Sequence, residues 1–149
     1  MTNILTYFVL AKSEDGRLKS EVFILLTFKT LDMKFKFEKL IIWQKAMDLG
    51  EDVFTLASQF PKEEIYNLTS QIRRAVDSIA LNISEGSIGQ SNPEFNRFMG
   101  YSIRSLAEVV TCLHKAKRRN YLTEDEFNKF YEESFNLMNM MIGFKRKIQ

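Results

Sequence analysis

The stretch SQIRRAVDSIALNISEG, residues 70–86, decides the fold class of this chain. Its apolar residues, with one just before it, recur at the three- and four-residue spacings that define one face of an α-helix. They are Leu68, Ile72, Ala75, Val76, Ile79 and Ile83. Gly86 follows where a left-handed helix cap forms most easily, so we predict an amphipathic helix that ends there.

The segment before this helix has the same period. Apolar residues between Glu38 and Phe60 predict a first helix, which Pro61 ends. The predicted inward stripe consists of Leu40, Trp43, Met47, Gly50, Phe54 and Ala57.

Two further helices follow the loop SIGQS. Asn92 is the expected N-cap of the third helix. Thr123 and Glu126 have the spacing of a capping box at the start of the fourth. Helices of similar length joined by short connections are antiparallel neighbours. We therefore predict an all-α fold, an antiparallel up-and-down four-helix bundle over residues 33–149.

Residues 1–32 have a different pattern. Two β-prone runs flank a turn that contains Asp15-Gly16. A lone hairpin is marginally stable in water. We expect an N-terminal extension outside the bundle, hairpin-like or disordered, of the kind that upstream sequence before a natural start would produce.

Composition limits the class of protein. The 149 residues fit one domain, with 45% apolar and 27% charged residues and a net charge of only +2. The apolar run VFILLTF is far shorter than the ~20 residues of a membrane-spanning helix. A single cysteine, Cys112, excludes an intrachain disulfide and fits a reducing compartment. We expect a cytoplasmic protein without a membrane partner.

The sequence contains no recognisable catalytic or metal motif. His114 is the only histidine, and no E-x-x-H motif of a di-metal bundle occurs. EGSIGQS lacks the G-K-[ST] ending of a phosphate loop. The adjacent carboxylates Glu63 and Glu64 are expected to be solvated. We predict a non-enzymatic protein without metal, cofactor or small-molecule substrate; an enzyme with an unrecognised site is the third hypothesis.

Apolar residues outside the predicted core suggest self-association. Ile42, Leu49 and Leu56 form a second heptad row on the first helix. Leu81 points away from the core stripe of the second helix, near Arg74. We interpret these five residues as an oligomer interface, with a generous monomer core as the alternative, and expect Leu49→Glu and Leu81→Glu to loosen the oligomer without loss of helicity.

Polar and basic residues have two readings each. Gln71, Ser78 and Asn82 flank the core stripe and predict a polar seam between helices rather than a ligand site. Cations at helix ends complement the helix dipole or contact phosphate. The candidate nucleic-acid-binding residues are Arg73, Arg74, Lys115, Lys117, Arg118 and Arg119.

The segments FEKLIIWQKAMDL and FPKEEIYNLTSQIRRAVDSIALNISEG, with the following S-N-P-E-F, resemble the 23S rRNA intervening sequence proteins over about residues 35–148. The residues that carry the resemblance are Trp43, Phe60-Pro61, Glu64, Leu68, Gln71-Ile72-Arg73-Arg74, Ser78-Ile79, Asn82-Ile83 and Glu85-Gly86. The resemblance implies a four-helix bundle that assembles as a homo-oligomer, a pentamer, with no established activity.

A related group is the accessory variability proteins of diversity-generating retroelements. That group is similar in having the same bundle, in a basic pentameric barrel that binds nucleic acid and reverse transcriptase, and its link to this chain is an analogy between families. The sequence departs from the family at Gln90, a place that commonly holds arginine, and at Arg104, where a small residue is frequent. The first change removes a possible phosphate contact and the second could add one.

The leading hypothesis is thus a non-enzymatic, self-assembling bundle, a homopentamer that binds structured RNA or DNA through basic patches. The alternative is a protein-binding scaffold or adaptor with no nucleic-acid activity.

Overall fold

The computed structural model describes residues 34–89 and 91–148, and within them four α-helices form the fold. The helices are α1 (Ile41–Ala57), α2 (Leu68–Ile88), α3 (Asn92–Arg118) and α4 (Glu124–Lys147). Short 3₁₀ turns lie at Lys36–Lys39 and Lys62–Glu64, and these two ranges contain no strand. The predicted all-α four-helix bundle is confirmed. The segment predicted to be hairpin-like, residues 1–32, lies outside the described residues.

The helices surround one core, each packed against two others. α1 contacts α2, α2 contacts α3, α3 contacts α4, and α4 contacts α1. The α2–α3 contact is the most extensive of the four, and the α1–α4 contact, beside an open cleft, is the least extensive. The outer faces of the α1–α2 and α3–α4 pairs consequently lie on opposite sides of the bundle.

The predicted core stripe of α2 is confirmed. All six of its residues, from Leu68 to Ile83, are buried. Burial of an isoleucine or leucine side chain contributes roughly 1.5–3 kcal/mol, which offsets the conformational entropy lost on folding. The bulkiest side chains that meet them from the other helices and are almost fully buried are Val53, Met99, Leu106, Val109, Leu113 and Met141.

The core stripe of α1 differs from the prediction. The buried row consists of Ile42, Ala46, Leu49, Val53 and Leu56. The prediction that Ile42, Leu49 and Leu56 form a surface row is therefore wrong, because each is only 4–5% exposed. Two residues assigned to the core, Met47 and Phe54, are instead 41% and 51% exposed.

The physical reason lies in the continuity of the two rows. The row through Leu49 places an aliphatic side chain in every turn of α1. The other row contains Gly50, which has no side chain to fill space between helices. A close-packed interior favours the unbroken row. α1 is also shorter than predicted, beginning at Ile41 and ending at Ala57.

The prediction that α2 ends at Gly86 is wrong, because Gly86 lies inside the helix. The helix continues to Ile88, and its C-cap, Gly89, is extended at φ −61° rather than left-handed. A Cβ atom placed on Gly86 would lie 2.7 Å from Phe95 Cδ2 and 2.7 Å from Phe98 Cβ. Gly86 therefore lets α2 and α3 approach more closely than any side chain would.

Side-chain caps begin the last two helices. The predicted capping box is confirmed: the Glu126 N–H donates to Thr123 Oγ1 at 3.2 Å, and the Thr123 N–H donates to Glu126 Oε2 at 2.8 Å. The N-cap of α3 is Ser91, one residue before the predicted Asn92, and its Oγ accepts from the Glu94 N–H. The short hydroxyl thus replaces the amide in that role.

The polar flank of α2 forms the predicted seam against α3. Ser78 Oγ and Ser105 Oγ lie 3.0 Å apart, and Asn82 Nδ2 donates to the Ser78 carbonyl at 2.7 Å. Gln71 Nε2 donates to Glu108 Oε1 at 3.2 Å. These hydrogen bonds provide partners for polar side-chain groups that close helix packing would otherwise leave without one.

Candidate self-association surface

An open groove with an apolar floor runs between α1 and α2 on the outside of the bundle; we term it the outer groove. Its apolar lining includes Trp43, Met47 and Gly50 from α1 and Ala80 and Leu81 from α2. The groove has a volume of about 520 Å³. A depression of this size lined mainly by apolar groups is typical of a surface that a partner covers.

Leu81 is the most protruding apolar residue of this groove. Its side chain is 64% exposed, as its position on the helix predicts. Arg74, seven residues earlier on α2, is also exposed. Of the five predicted interface residues, the structure therefore leaves these two on the surface and places the other three in the core.

A contact between Arg73 and Phe54 connects α2 and α1 outside the lining of the outer groove. The guanidinium carbon of Arg73 lies 4.1 Å from the centroid of the Phe54 ring, and Arg73 Nη2 donates to the Phe54 carbonyl at 3.3 Å. Cation–π contacts of this kind contribute about 0.5–1 kcal/mol at exposed sites. Arg73 thus joins α2 to the last turn of α1.

Two more of the predicted nucleic-acid-binding residues have partners within the chain. Lys117 Nζ lies 2.8 Å from Glu124 Oε1 and 4.2 Å from the centroid of the Phe127 ring. Arg119 Nη1 lies 2.7 Å from Glu64 Oε1. Lys115 and Arg118, by contrast, are exposed on α3. Of the six candidates, three therefore contact partners within the chain: Arg73, Lys117 and Arg119. The other three, Arg74, Lys115 and Arg118, are exposed.

Glu64 was expected to be solvated, and this expectation is wrong. The residue is only 8% exposed, and its carboxylate accepts four hydrogen bonds. The donors are Arg119 Nη1 at 2.7 Å, Asn67 Nδ2 at 2.8 Å, Tyr121 OH at 3.1 Å and the Leu68 N–H at 3.2 Å. Glu64 therefore joins the start of α2 to the α3–α4 connection. Its neighbour in sequence, Glu63, is exposed.

These partners determine the ionisation of Glu64. Burial by itself raises the pKa of the carboxyl, but the hydrogen bonds from Leu68, Tyr121 and Asn67 and the charge of Arg119 outweigh it. The net effect lowers the pKa below the ordinary value of 4.5. The folded state consequently prefers the ionised form more strongly than the unfolded chain does.

Acid should therefore destabilise the protein through this residue. A carboxyl with a lowered folded-state pKa stabilises the fold above its unfolded pKa, and this contribution disappears as the pH falls through the folded value. We expect the melting temperature of Glu64→Gln to be lower than that of the wild type at pH 7, and to fall less steeply between pH 6 and pH 3. Calorimetry across that range measures both. Glu63→Gln is the matched control, and identical slopes for all three proteins would contradict this role of Glu64.

His114 and Cys112, of residue types that are often catalytic or metal-binding, are packed against aromatic rings and in the core, respectively. His114 contacts the Phe127 and Tyr131 rings at centroid distances of 4.9 Å and 5.9 Å. Cys112 is buried, and burial raises the pKa of its thiol, which disfavours the reactive thiolate. Within residues 34–89 and 91–148, no three His, Cys, Asp or Glu side chains are grouped to hold a metal ion. Nor does any helix in the described part of the chain combine the length and apolarity needed to cross a bilayer.

The sequence model of the 23S rRNA-intervening sequence proteins matches residues 38–143, which span all four helices. The chain belongs to this family. The family's region thus contains the outer groove, the Glu64 cluster and the α2–α3 seam. A comparison with curated proteins finds no match.

A solved structure has the same fold. It is a protein of unknown function from the S23 ribosomal protein family of Bacteroides thetaiotaomicron. The two chains align with a TM-score of 0.66 and 19% sequence identity, over 70% of this chain and 98% of the other. At this identity the similarity shows the fold alone.

Two features of the family member were missed from the sequence. Gly50 lies in the outer groove, whereas its place in an apolar row suggested the core. The Glu64 cluster joins residues 55 and 57 positions apart, a distance that local patterns do not reveal. One signal was present for Glu64, which lies four residues before Leu68, the first residue of α2, near a helix N-terminus where carboxylates are favoured.

Proposed function

We propose that this protein is a non-enzymatic, cytoplasmic, self-assembling four-helix bundle whose outer groove is covered by another subunit. The observation that supports the proposal is the apolar outer groove, with Leu81 exposed beside it. Full burial of a leucine side chain contributes roughly 1.5–3 kcal/mol, of which covering Leu81, 64% exposed, gains only a part. Monomers also rarely leave large continuous apolar patches in water.

The proposed assembly is a homopentamer. The number comes from the resemblance to the intervening sequence proteins, and the groove supports association without specifying how many subunits take part. A ring of identical subunits repeats every contact, so a modest interface can hold it together.

Binding of structured RNA or DNA is the second proposed activity. It is supported by Arg74, Lys115 and Arg118, which are exposed and available to phosphate. Arg73, Lys117 and Arg119 contribute less, because their side chains already contact Phe54, Glu124 and Glu64. Repetition around a ring would multiply a small patch into an extended one. The alternative function is a protein-binding scaffold or adaptor with no affinity for nucleic acid.

The mass of the purified protein in solution tests self-assembly. Light scattering at micromolar concentration should give a multiple of 17.5 kDa, five-fold for the pentamer. A monomer under these conditions would refute the proposal. For the second activity, titration with structured RNA and with duplex DNA should show affinity that falls with added salt. Absence of binding at low salt would favour the scaffold.

A further inference from the structure

The side of the bundle opposite the outer groove also presents apolar groups; we term it the α3–α4 face. Phe135 and Tyr131 on α4 are 56% and 39% exposed. They border a shallow depression of about 220 Å³ whose lining includes Ala107 and Val110 from α3. The monomer therefore has two unlike apolar surfaces: a larger groove on one side and projecting aromatic rings on the other.

The two surfaces differ in charge as well. The ionisable residues that line the outer groove are Glu51 and Asp77, both acidic. Arg74, on the same side of α2 as Leu81, is the exposed cation near them. On the α3–α4 face, Arg104 lies three residues before Ala107 and Arg118 eleven residues after it, which places both on the same side of α3. Both arginines are exposed. Complementary charge of this kind steers association and sets its orientation.

Glu132 is the exception on the basic side. It borders a second depression beside Phe135, together with Asn136. Arg146 and Glu124 lie eleven residues after and before Phe135, on the same side of α4. Glu124 is paired with Lys117, so the exposed arginines Arg104, Arg118 and Arg146 outnumber Glu132. The charge of the α3–α4 face is therefore net positive.

Gly50 provides an independent observation within the outer groove. A Cβ atom placed on it would meet no atom within 4 Å in the described structure. Glycine in the middle of a helix is less favourable than alanine by roughly 0.8–1 kcal/mol. Packing within the subunit does not account for this cost, unlike that of Gly86. A bare backbone beneath an open groove is suited to a bulky group that arrives from outside.

We propose that the occupant of the outer groove is the α3–α4 face of a second copy of this chain, with Phe135 inserted above Gly50. Tyr131 packs beside Leu81, and the arginines of the inserting subunit face Glu51 and Asp77. This inference rests on the proposed self-assembly and adds to it the identity of the two surfaces. Aromatic side chains buried in a pocket of the partner are typical of the residues that dominate binding energy.

The symmetry of the assembly follows from this pairing. Two different surfaces meet at every contact, so the interface is heterologous and each subunit uses both surfaces. A twofold dimer, in which outer groove meets outer groove, is excluded by the proposal. Closed rings and open filaments are the arrangements that remain, and the expected pentamer is a closed ring.

Complementation between two variants tests the pairing. Leu81→Glu disables the groove and Phe135→Glu disables the inserting ring; both sites are exposed, so circular dichroism should show unchanged helicity. Each variant alone should be monomeric at micromolar concentration. An equimolar mixture should form a one-to-one heterodimer, because one intact groove and one intact aromatic face remain. Gln59→Glu, an exposed substitution in the α1–α2 connection outside both surfaces, is the control and should leave the oligomer intact.

The outcomes separate this inference from the proposed function. A monomeric wild type would refute self-assembly itself. An oligomeric wild type with an equally oligomeric Phe135→Glu variant would refute only the pairing. Failure of the two monomeric variants to associate when mixed would also refute it.

Gly50→Ala is a second test, in which the expected weaker assembly cannot be explained by unfolding. The added methyl group should raise the melting temperature of the subunit, because nothing lies within 4 Å of it. The same methyl group occupies space beneath the inserted ring, so the dissociation constant of the assembly should rise about ten-fold or more. Gly143→Ala, also without a neighbour within 4 Å, should raise the melting temperature and leave assembly unchanged. Equal assembly by both variants would contradict insertion above Gly50.

Discussion

Replacement of Leu49 by glutamate is expected to unfold the monomer rather than to loosen an assembly alone. Leu49 is 4% exposed within the core stripe of α1, so the substitution removes apolar burial and places a carboxylate among apolar groups. We expect a loss on the order of 4 kcal/mol or more, out of the 5–15 kcal/mol that is typical of a domain.

Urea denaturation followed by circular dichroism measures this loss. Leu81→Glu is the matched control, with the same substitution at a leucine that is 64% exposed, and its subunit stability should change by less than about 0.5 kcal/mol. Equal stability of the two variants would mean that Leu49 is not part of the core.

Replacement of Gly86 by alanine should destabilise the bundle although alanine is the better helix former. The new methyl group would lie 2.7 Å from Phe98 Cβ, an atom fixed to the α3 backbone, so the two helices must separate. Overpacking of this kind costs about 1–3 kcal/mol, more than the ~1 kcal/mol that alanine contributes to helix propensity. The α2–α3 contact is the most extensive in the bundle, so the separation has a large effect.

Gly143→Ala is the control for this substitution as well. It gains the same helix propensity in α4 but meets no atom within 4 Å, so its free energy of unfolding should rise slightly. Opposite signs for the two alanine variants in a urea titration are the expected result. A stabilised Gly86→Ala variant would contradict the close packing of α2 and α3.

The sequence predicted those parts of the fold that depend on local pattern. The stripe of α2 has one apolar face, so its periodicity has a single solution. α1 has two apolar rows, through Leu49 and through Phe54, and a period alone does not say which one faces inward. The choice depends on how side chains fill the space left by α2 and α4, which is a property of the packed structure. Gly86 was assigned to a cap for the same reason, because its close contact with Phe98 is not visible in the sequence.

The candidate surface was predictable only in part. Leu81 could be placed on the outside because it lies opposite a well-defined stripe. The groove beside it could not be predicted, since it depends on Met47 being exposed and on Trp43 being only partly buried against the core. The sequence also did not show which basic residues are exposed and which contact a partner within the chain. Arg119 and Lys117 find their carboxylate partners through tertiary contacts or across a connection.

The uneven packing around the bundle sets the order in which the subunit opens. The α1–α4 contact is the least extensive of the four and joins the two helices most distant along the chain. Forming the α1–α4 contact costs more chain entropy than forming any other helix pair, because it closes the longest loop. Fewer side-chain contacts offset this cost than in the other pairs. The local free energy of opening is therefore lowest at the α1–α4 edge. The α2–α3 hairpin, whose contacts are closer in sequence, is expected to have the slowest amide hydrogen exchange. Helix α1, which carries Trp43, Met47 and Gly50, is thus hinged to the rest of the subunit mainly through α2.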